Sequence, residues 1–121
     1  NNSISRITIV VNAETHSIEQ VVKQLYKLVN VIKIHELDPA NIVERELVLI
    51  KVNAENSSRA EILEIVNIFR ANIVDVGKKS LVIEITGNSR KIKGIEELLK
   101  PYGIIELVRT GKVAISRGSK K

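Results

Sequence analysis

Hydrophobic and polar positions alternate with two distinct periods along this chain, and the switches between them divide it into elements. Ile7, Ile9 and Val11 fall on one side of the run Ile4 to Val11, with Arg6, Thr8 and Val10 on the other, which predicts a strand. Ser17, Ile18, Glu19 and Gln20 fit a capping box, and Ile18, Val21, Val22, Leu25, Leu28 and Val29 then recur at helical spacing up to Asn30. Val31 to Leu37 reads as a second strand, stopped at Asp38-Pro39 because proline cannot donate to a ladder.

A linker is expected at Asp38-Pro39-Ala40-Asn41, where two strand patterns meet through turn chemistry with no helical segment between them. The strand from Glu44 to Asn53 sets Val48, Ile50 and Val52 against Leu47, Leu49 and Lys51. Apolar residues on both sides of its middle mark a central strand. Ser58 and Glu61 suggest a second capping box, opening a helix whose buried stripe is Ile62, Ile65, Val66 and Phe69.

Two strands, Asn72 to Val76 and Ser80 to Thr86, are joined by Gly77-Lys78-Lys79, short enough to require an antiparallel hairpin with Gly77 as the natural place for a positive φ. A third helix carries Ile92, Ile95, Leu98 and Leu99 and ends at Pro101 and Gly103. Ile104 to Val108 is the last strand, which Val113 to Ser116 extends beyond a bend at Gly111, before a frayed tail from Gly118.

From Val43 onward this order is strand, helix, strand, strand, helix, strand, the split βαβ or ferredoxin-like plan. The preceding segment reproduces only the second half of that plan. The fold class is therefore α+β, two ferredoxin-like units of which the first is incomplete, with domains at 1–39 and 43–121. Because the plan sets a central strand between the two strands of the first unit, that strand is expected to be disordered, removed or supplied by another chain. The opening Asn1-Asn2-Ser3, which runs at once into a strand, suggests a chain cut from something longer.

Composition narrows the chemistry. Apolar residues make up 44% of the 121 and aromatics 2%, so the interior is aliphatic. Cysteine is absent, which removes disulfides, thiol nucleophiles and thiolate metal sites together. Each apolar run is broken well before the ~20 residues a bilayer requires, and no signal-peptide pattern opens the chain. The net charge of +5 raises the alternative of a nucleic-acid or nucleotide-binding module, although much of the excess lies in the dispersed tail Arg109, Lys112, Arg117, Lys120 and Lys121. An RNA-binding sheet of this plan stacks bases on aromatics. Here Tyr26 and Phe69 fall on helices and Tyr102 in a turn, which argues against nucleic acid.

Reactive groups do not converge. His16 and His35 have no second His or Cys at ligand spacing and no paired base on which a nucleophile arrangement could be built. Glu44 and Glu46 share a strand face, where a solvated edge or an ion pair with Arg45 explains them better than paired catalytic carboxylates. Gly77-Lys78-Lys79 with Asn88-Ser89-Arg90-Lys91 could hold phosphate, but a hairpin turn and a helix cap account for the same residues. No catalytic, cofactor-binding or metal residue is assigned.

Several runs resemble a known family, the regulatory small subunits of acetohydroxyacid synthase, also called acetolactate synthase. Ser5 to Val11, Glu19 to Val29 and Val31 to Ile34 look like the later half of that family's ACT domain. Val43-Glu44-Arg45-Glu46-Leu47-Val48-Leu49-Ile50-Lys51-Val52 is similar to the strand opening its C-terminal domain. Gly87-Asn88-Ser89, Lys91-Ile92, Leu98 to Ile104 and Glu106 to Gly111 extend the resemblance over essentially the whole chain.

The resemblance implies a non-catalytic subunit in the cytoplasm, or in the plastid of a photosynthetic eukaryote. It implies pairing with a second copy in a homodimer or higher homo-oligomer, activation of a catalytic large subunit, and valine feedback inhibition in branched-chain amino-acid biosynthesis. Thiamine diphosphate, FAD and magnesium would belong to the catalytic partner. The family's effector loop matches a segment preceding Asn1, so the effector-binding residues stay unknown and no valine-binding residue is carried over.

Overall fold

In chain order the elements are α1 (Ile18–Tyr26), β1 (Ile42–Asn53), α2 (Arg59–Ile68), β2 (Asn72–Val76), β3 (Ser80–Gly87), α3 (Ser89–Leu99), β4 (Ile104–Arg109) and β5 (Val113–Ser116). The structure, a computed structural model, describes residues 5–12, 17–28 and 30–118. It divides into two units, one of Glu44–Val113 and one of Asn1–Val43 with Ala114–Lys121.

In the larger unit β1 is central, as its two apolar faces predict. The sheet order is β2-β3-β1-β4, with β5 pairing β1 off this path. All neighbours on the path are antiparallel, the mixed α/β arrangement expected of the split βαβ plan. Register explains the core. Val48, Ile50 and Val52 stand opposite Ile85, Ile83 and Leu81 of β3, and all six are buried. Ile62 and Val66 of α2 and Ile92, Ile95 and Leu99 of α3 cover that face. Burying each such side chain is worth roughly 1.5–3 kcal/mol, so an interior whose fully buried residues are all aliphatic is held by many small contributions, with Phe69 and Tyr102 packed partly buried against it.

The alternate residues of β1 form the other face. Leu47, Leu49 and Lys51 stand beside Thr86, Glu84 and Val82 of β3. On the other side, Val108 and Glu106 of β4 flank Leu49 and Lys51. This face mixes aliphatic and charged side chains, with Leu49 and Val108 exposed.

The connections follow turn chemistry with some departures. After α3 a 3-10 turn over Lys100–Tyr102 ends at Gly103, whose φ is 99°. The positive φ calls for glycine; a Cβ there would lie 2.7 Å from Asn53 Nδ2, the end of an exposed side chain that would have to shift. The expected positive φ at Gly77 is not found, since the left-handed glycines are Gly103 and Gly111. Gly77 serves by size instead: its N–H donates to Ser80 O at 2.8 Å, and an added Cβ would come within 2.9 Å of Ser80 Oγ. Arg70 takes a φ of 54° just past α2. There Ala71 N–H reaches back to Val66 O, the helix-closing bond usually accompanied by glycine.

The smaller unit contains α1, shorter than the helix expected up to Asn30. Residues 5–12 and 31–38 carry no strand assignment, contrary to the strands expected over 4–11 and 31–37; Ile4 lies outside the described residues. A strand exists only by its ladder. In the split βαβ order these two segments flank a central strand rather than pairing with each other, and the described residues supply none there. Tyr26 compensates locally by accepting the Ile34 N–H at 3.1 Å. Val113 to Ser116 does not merely extend β4; it forms β5, and Arg117 N–H beyond it donates to Asn41 O at 3.0 Å.

Candidate functional site

The polar groups singled out in the sequence are engaged in holding the fold. Glu46 is 7% exposed, with Oε1 3.9 Å from Arg109 Nε. Arg109 also meets Glu96 Oε1 at 3.4 Å. Of the two expected alternatives, a solvated edge or an ion pair with Arg45, neither describes Glu46: it is buried, and strand alternation turns Arg45 to the opposite face while the β1–β4 register brings in Arg109. The Arg45 guanidinium donates to Glu44 O at 2.7 Å, and Glu44 Oε1 accepts from Ser89 Oγ at 3.1 Å. The two glutamates therefore have separate partners.

The candidate phosphate segments are occupied in the same way. Asn88 caps α3, its Oδ1 accepting from Lys91 N at 2.9 Å, while Lys91 Nζ donates to Thr86 O at 3.1 Å. The β2–β3 hairpin is tied down by Arg59, which donates to Ala54 O at 3.0 Å, to Lys78 O at 2.8 Å and to Gly77 O. Sequence reasoning missed this clamp, since nothing local marks Arg59 as the partner of carbonyls near residue 78.

Neither expected capping box forms. Ser17 and Ser58 make no side-chain cap bond. Ser58 sits in the right-handed region with its hydroxyl donating to Glu55 O at 3.2 Å. Glu61 instead accepts from Tyr102 Oη at 2.9 Å. That hydrogen bond, with smaller contributions from desolvation and the nearby Glu61 and Glu64 charges, raises the Tyr102 pKa above its ordinary value.

His35 is exposed and borders an open depression of about 260 Å³ with Arg6, Glu36, Leu37, Ile115 and Ser116. His16 lies outside the described residues. Among the described residues, no group of three or more His, Cys, Asp or Glu could hold a metal ion, and no helix is long and apolar enough to cross a membrane. Among the described residues of the larger unit no aromatic side chain stands on the open sheet face, for Phe69 and Tyr102 pack against the core side.

Among the described residues the reactive groups do not converge on a common centre, and sequence relatives indicate the chain's setting. A family model described as "Small subunit of acetolactate synthase" matches residues 45–118. This chain belongs to that family. A second model, "AHAS small subunit-like ACT domain", matches residues 1–33.

Among acetolactate synthase small subunits, one from Mycobacterium bovis is 52% identical over 114 residues, 94% of this chain and 68% of that protein. A protein named probable acetolactate synthase small subunit from Archaeoglobus fulgidus is 51% identical over 120 residues, covering 99% and 75% respectively. A crystal structure of the small subunit from Thermotoga maritima superposes with a TM-score of 0.77 at 42% identity, over 92% of this chain and 68% of that one. At that identity the likeness extends beyond the fold to the family.

Proposed function

We propose that this chain acts as the non-catalytic regulatory subunit of acetolactate synthase, raising the activity of a separate catalytic subunit and conferring feedback inhibition by valine in branched-chain amino-acid biosynthesis. The observation that carries the reading is similarity to named small subunits over almost the whole chain: 51% identity spans 99% of it. In this reading residues 1–39 are the ACT portion and residues 43–121 the second domain. The chemistry, with thiamine diphosphate, FAD and magnesium, resides on the catalytic partner in the cytoplasm.

The side chains support a role exercised through contacts. Glu44, Glu46, Arg59 and Arg109 hold elements together, whereas aliphatic residues such as Leu49, Val74 and Val108 remain exposed. Sheet edges and open faces of this kind suit pairing with a second copy and docking to a larger subunit.

Reconstitution tests the proposal. Catalytic subunit from the same organism is assayed for acetolactate formation alone, with the chain, and with the chain plus valine. Saturable activation that valine reverses is expected. Unchanged activity at every ratio of the two subunits would overturn it.

A further inference from the structure

On the open face of the larger unit's sheet, four side chains form a rectangle at the centre. Leu49 stands beside Glu84, and Lys51 beside Val82, across the β1–β3 ladder. One diagonal of the rectangle is aliphatic and the other carries opposite charges. Around it, Val108 and Glu106 of β4 flank Leu49 and Lys51, and Asn72 of β2 flanks Glu84. Lys51 and Glu106 stand directly opposite each other, where unlike charges attract. Yet among the described residues none of Lys51, Glu84 and Glu106 forms an ion pair; those that form join Arg109 to Glu46 and to Glu96. Glu84 is already half-buried, and the aliphatic side chains beside it, Leu49 and Val108, are exposed.

Such a face can be completed by its own copy, because a two-fold interface sets residues of one patch against residues of the same patch. The charges select the axis. With strands ~4.8 Å apart and same-face residues ~6.8 Å apart along each strand, an axis over the Leu49–Val82 diagonal puts Leu49 on Leu49 of the second copy and Val82 on Val82. The same rotation brings Lys51 to within about 3 Å, in projection, of Glu84 of the second copy, a distance two flexible side chains span. Leu47 then falls against Val108, and Glu106 beside Asn72, each contact made twice. The strands of the two sheets cross at roughly 70°, close to the orthogonal class of sheet packing.

Through the same rectangle, the opposite diagonal sets Glu84 on Glu84 and Lys51 on Lys51. An axis along or across the strands sets each charge on an aliphatic side chain, which buries it without a partner. An axis displaced to lie between β1 and β4 pairs Lys51 with Glu106, but it leaves Val82 and Glu84 of β3 outside the contact.

We propose that the open sheet face of the larger unit is a homodimer interface, with its two-fold axis over Leu49 and Val82 and reciprocal Lys51–Glu84 ion pairs on either side. This interface narrows the pairing with a second copy proposed above to one surface, and its test is read on the chain alone, independently of the regulatory function.

Self-association of the full chain is measured by sedimentation equilibrium. Lys51→Glu makes two attractive contacts per dimer repulsive and should raise the dimer dissociation constant roughly tenfold or more. Glu84→Lys should do the same, and the two substitutions together should return it to within about threefold of the unaltered value, the signature of direct coupling. Since the chain has no cysteine, single thiols give a second readout. Face-packed sheets lie ~10 Å apart, too far for a disulfide, so a short bis-maleimide is used: it should join Leu49→Cys to its copy on the axis and fail with Thr86→Cys at the margin of the face. A chain monomeric at every concentration, single charge variants that associate as the unaltered chain does, or equal crosslinking at 49 and 86 overturns the interface. Rescue of Lys51→Glu by Glu106→Lys in place of Glu84→Lys overturns the proposed axis. If charge reversal leaves self-association intact but lowers activation of the catalytic subunit, the face serves that subunit and the proposal fails.

Discussion

The two units use the same alphabet of apolar positions and obtain different results from it. In Glu44–Val113 the alternating residues of β1 meet those of β3 and lie beneath α2 and α3, so Val48, Ile50, Ile83 and Ile95 are 0% exposed. In the other unit the alternation of Ile7 and Ile9 is as regular, yet these residues are 81% and 56% exposed. Periodicity specifies which face of an element is apolar; burial requires a second surface to meet it. The larger unit contains its own, whereas the described residues of the smaller one provide few.

Core truncation gives the largest expected contrast. Ile50→Ala or Ile83→Ala should destabilise the chain by about 2–5 kcal/mol in chemical denaturation, through lost transfer energy and a residual cavity. Ile7→Ala, at a site with little to lose, should change stability by less than about 0.5 kcal/mol. Equal losses at both positions would abolish the distinction between the units.

Gly103→Ala tests backbone conformation within the larger unit. The positive φ and the approach to Asn53 Nδ2 should together cost about 1–3 kcal/mol. Arg70→Gly tests the opposite sign: relief of left-handed strain, roughly 1–2 kcal/mol, exceeds the additional chain entropy glycine loses, roughly 0.5–1 kcal/mol. A net gain of about 0.5 kcal/mol follows from that difference, readable as a raised denaturation midpoint.

The smallest effect concerns Tyr102. Its folded pKa is raised by the hydrogen bond to Glu61, so any stability contributed by this linkage is present below the unfolded tyrosine pKa and disappears as pH rises through the folded value. Glu61→Gln should move the Tyr102 transition in an ultraviolet absorbance titration to lower pH; an unmoved transition would show that Glu61 is not the cause.

Much of the larger unit was legible because local patterns and long-range pairing agree there. The two apolar sides of β1 predicted a central strand, Gly77-Lys78-Lys79 required a hairpin, and Pro101 with Gly103 ended α3. Less legible were groups whose partners are distant in sequence. Glu46 finds Arg109, Glu61 finds Tyr102, and Arg59 finds the hairpin carbonyls only after the sheet has set their register. Ser58 had the residue type for a cap, but its backbone conformation directs the hydroxyl to Glu55. The segments at 5–12 and 31–38 carried convincing strand patterns without a ladder, since a pattern does not contain its partner.

The family was readable from runs such as Val43 to Val52, while the effector-binding residues were not, because no run in the chain pointed to them. That Ala114–Lys121 groups with the first unit was hidden for the same reason as the distant ion pairs: Ala114 N–H donates to Thr8 Oγ1, at the other end of the sequence.

Native-state hydrogen exchange across the whole chain tests most directly whether stability is partitioned in this way. The amides of Ile50 and Ile83 should exchange only through global unfolding, and those of Ile7, Ile9 and Val10 at close to unprotected rates. Comparable protection in both sets would contradict a stable core confined to the larger unit.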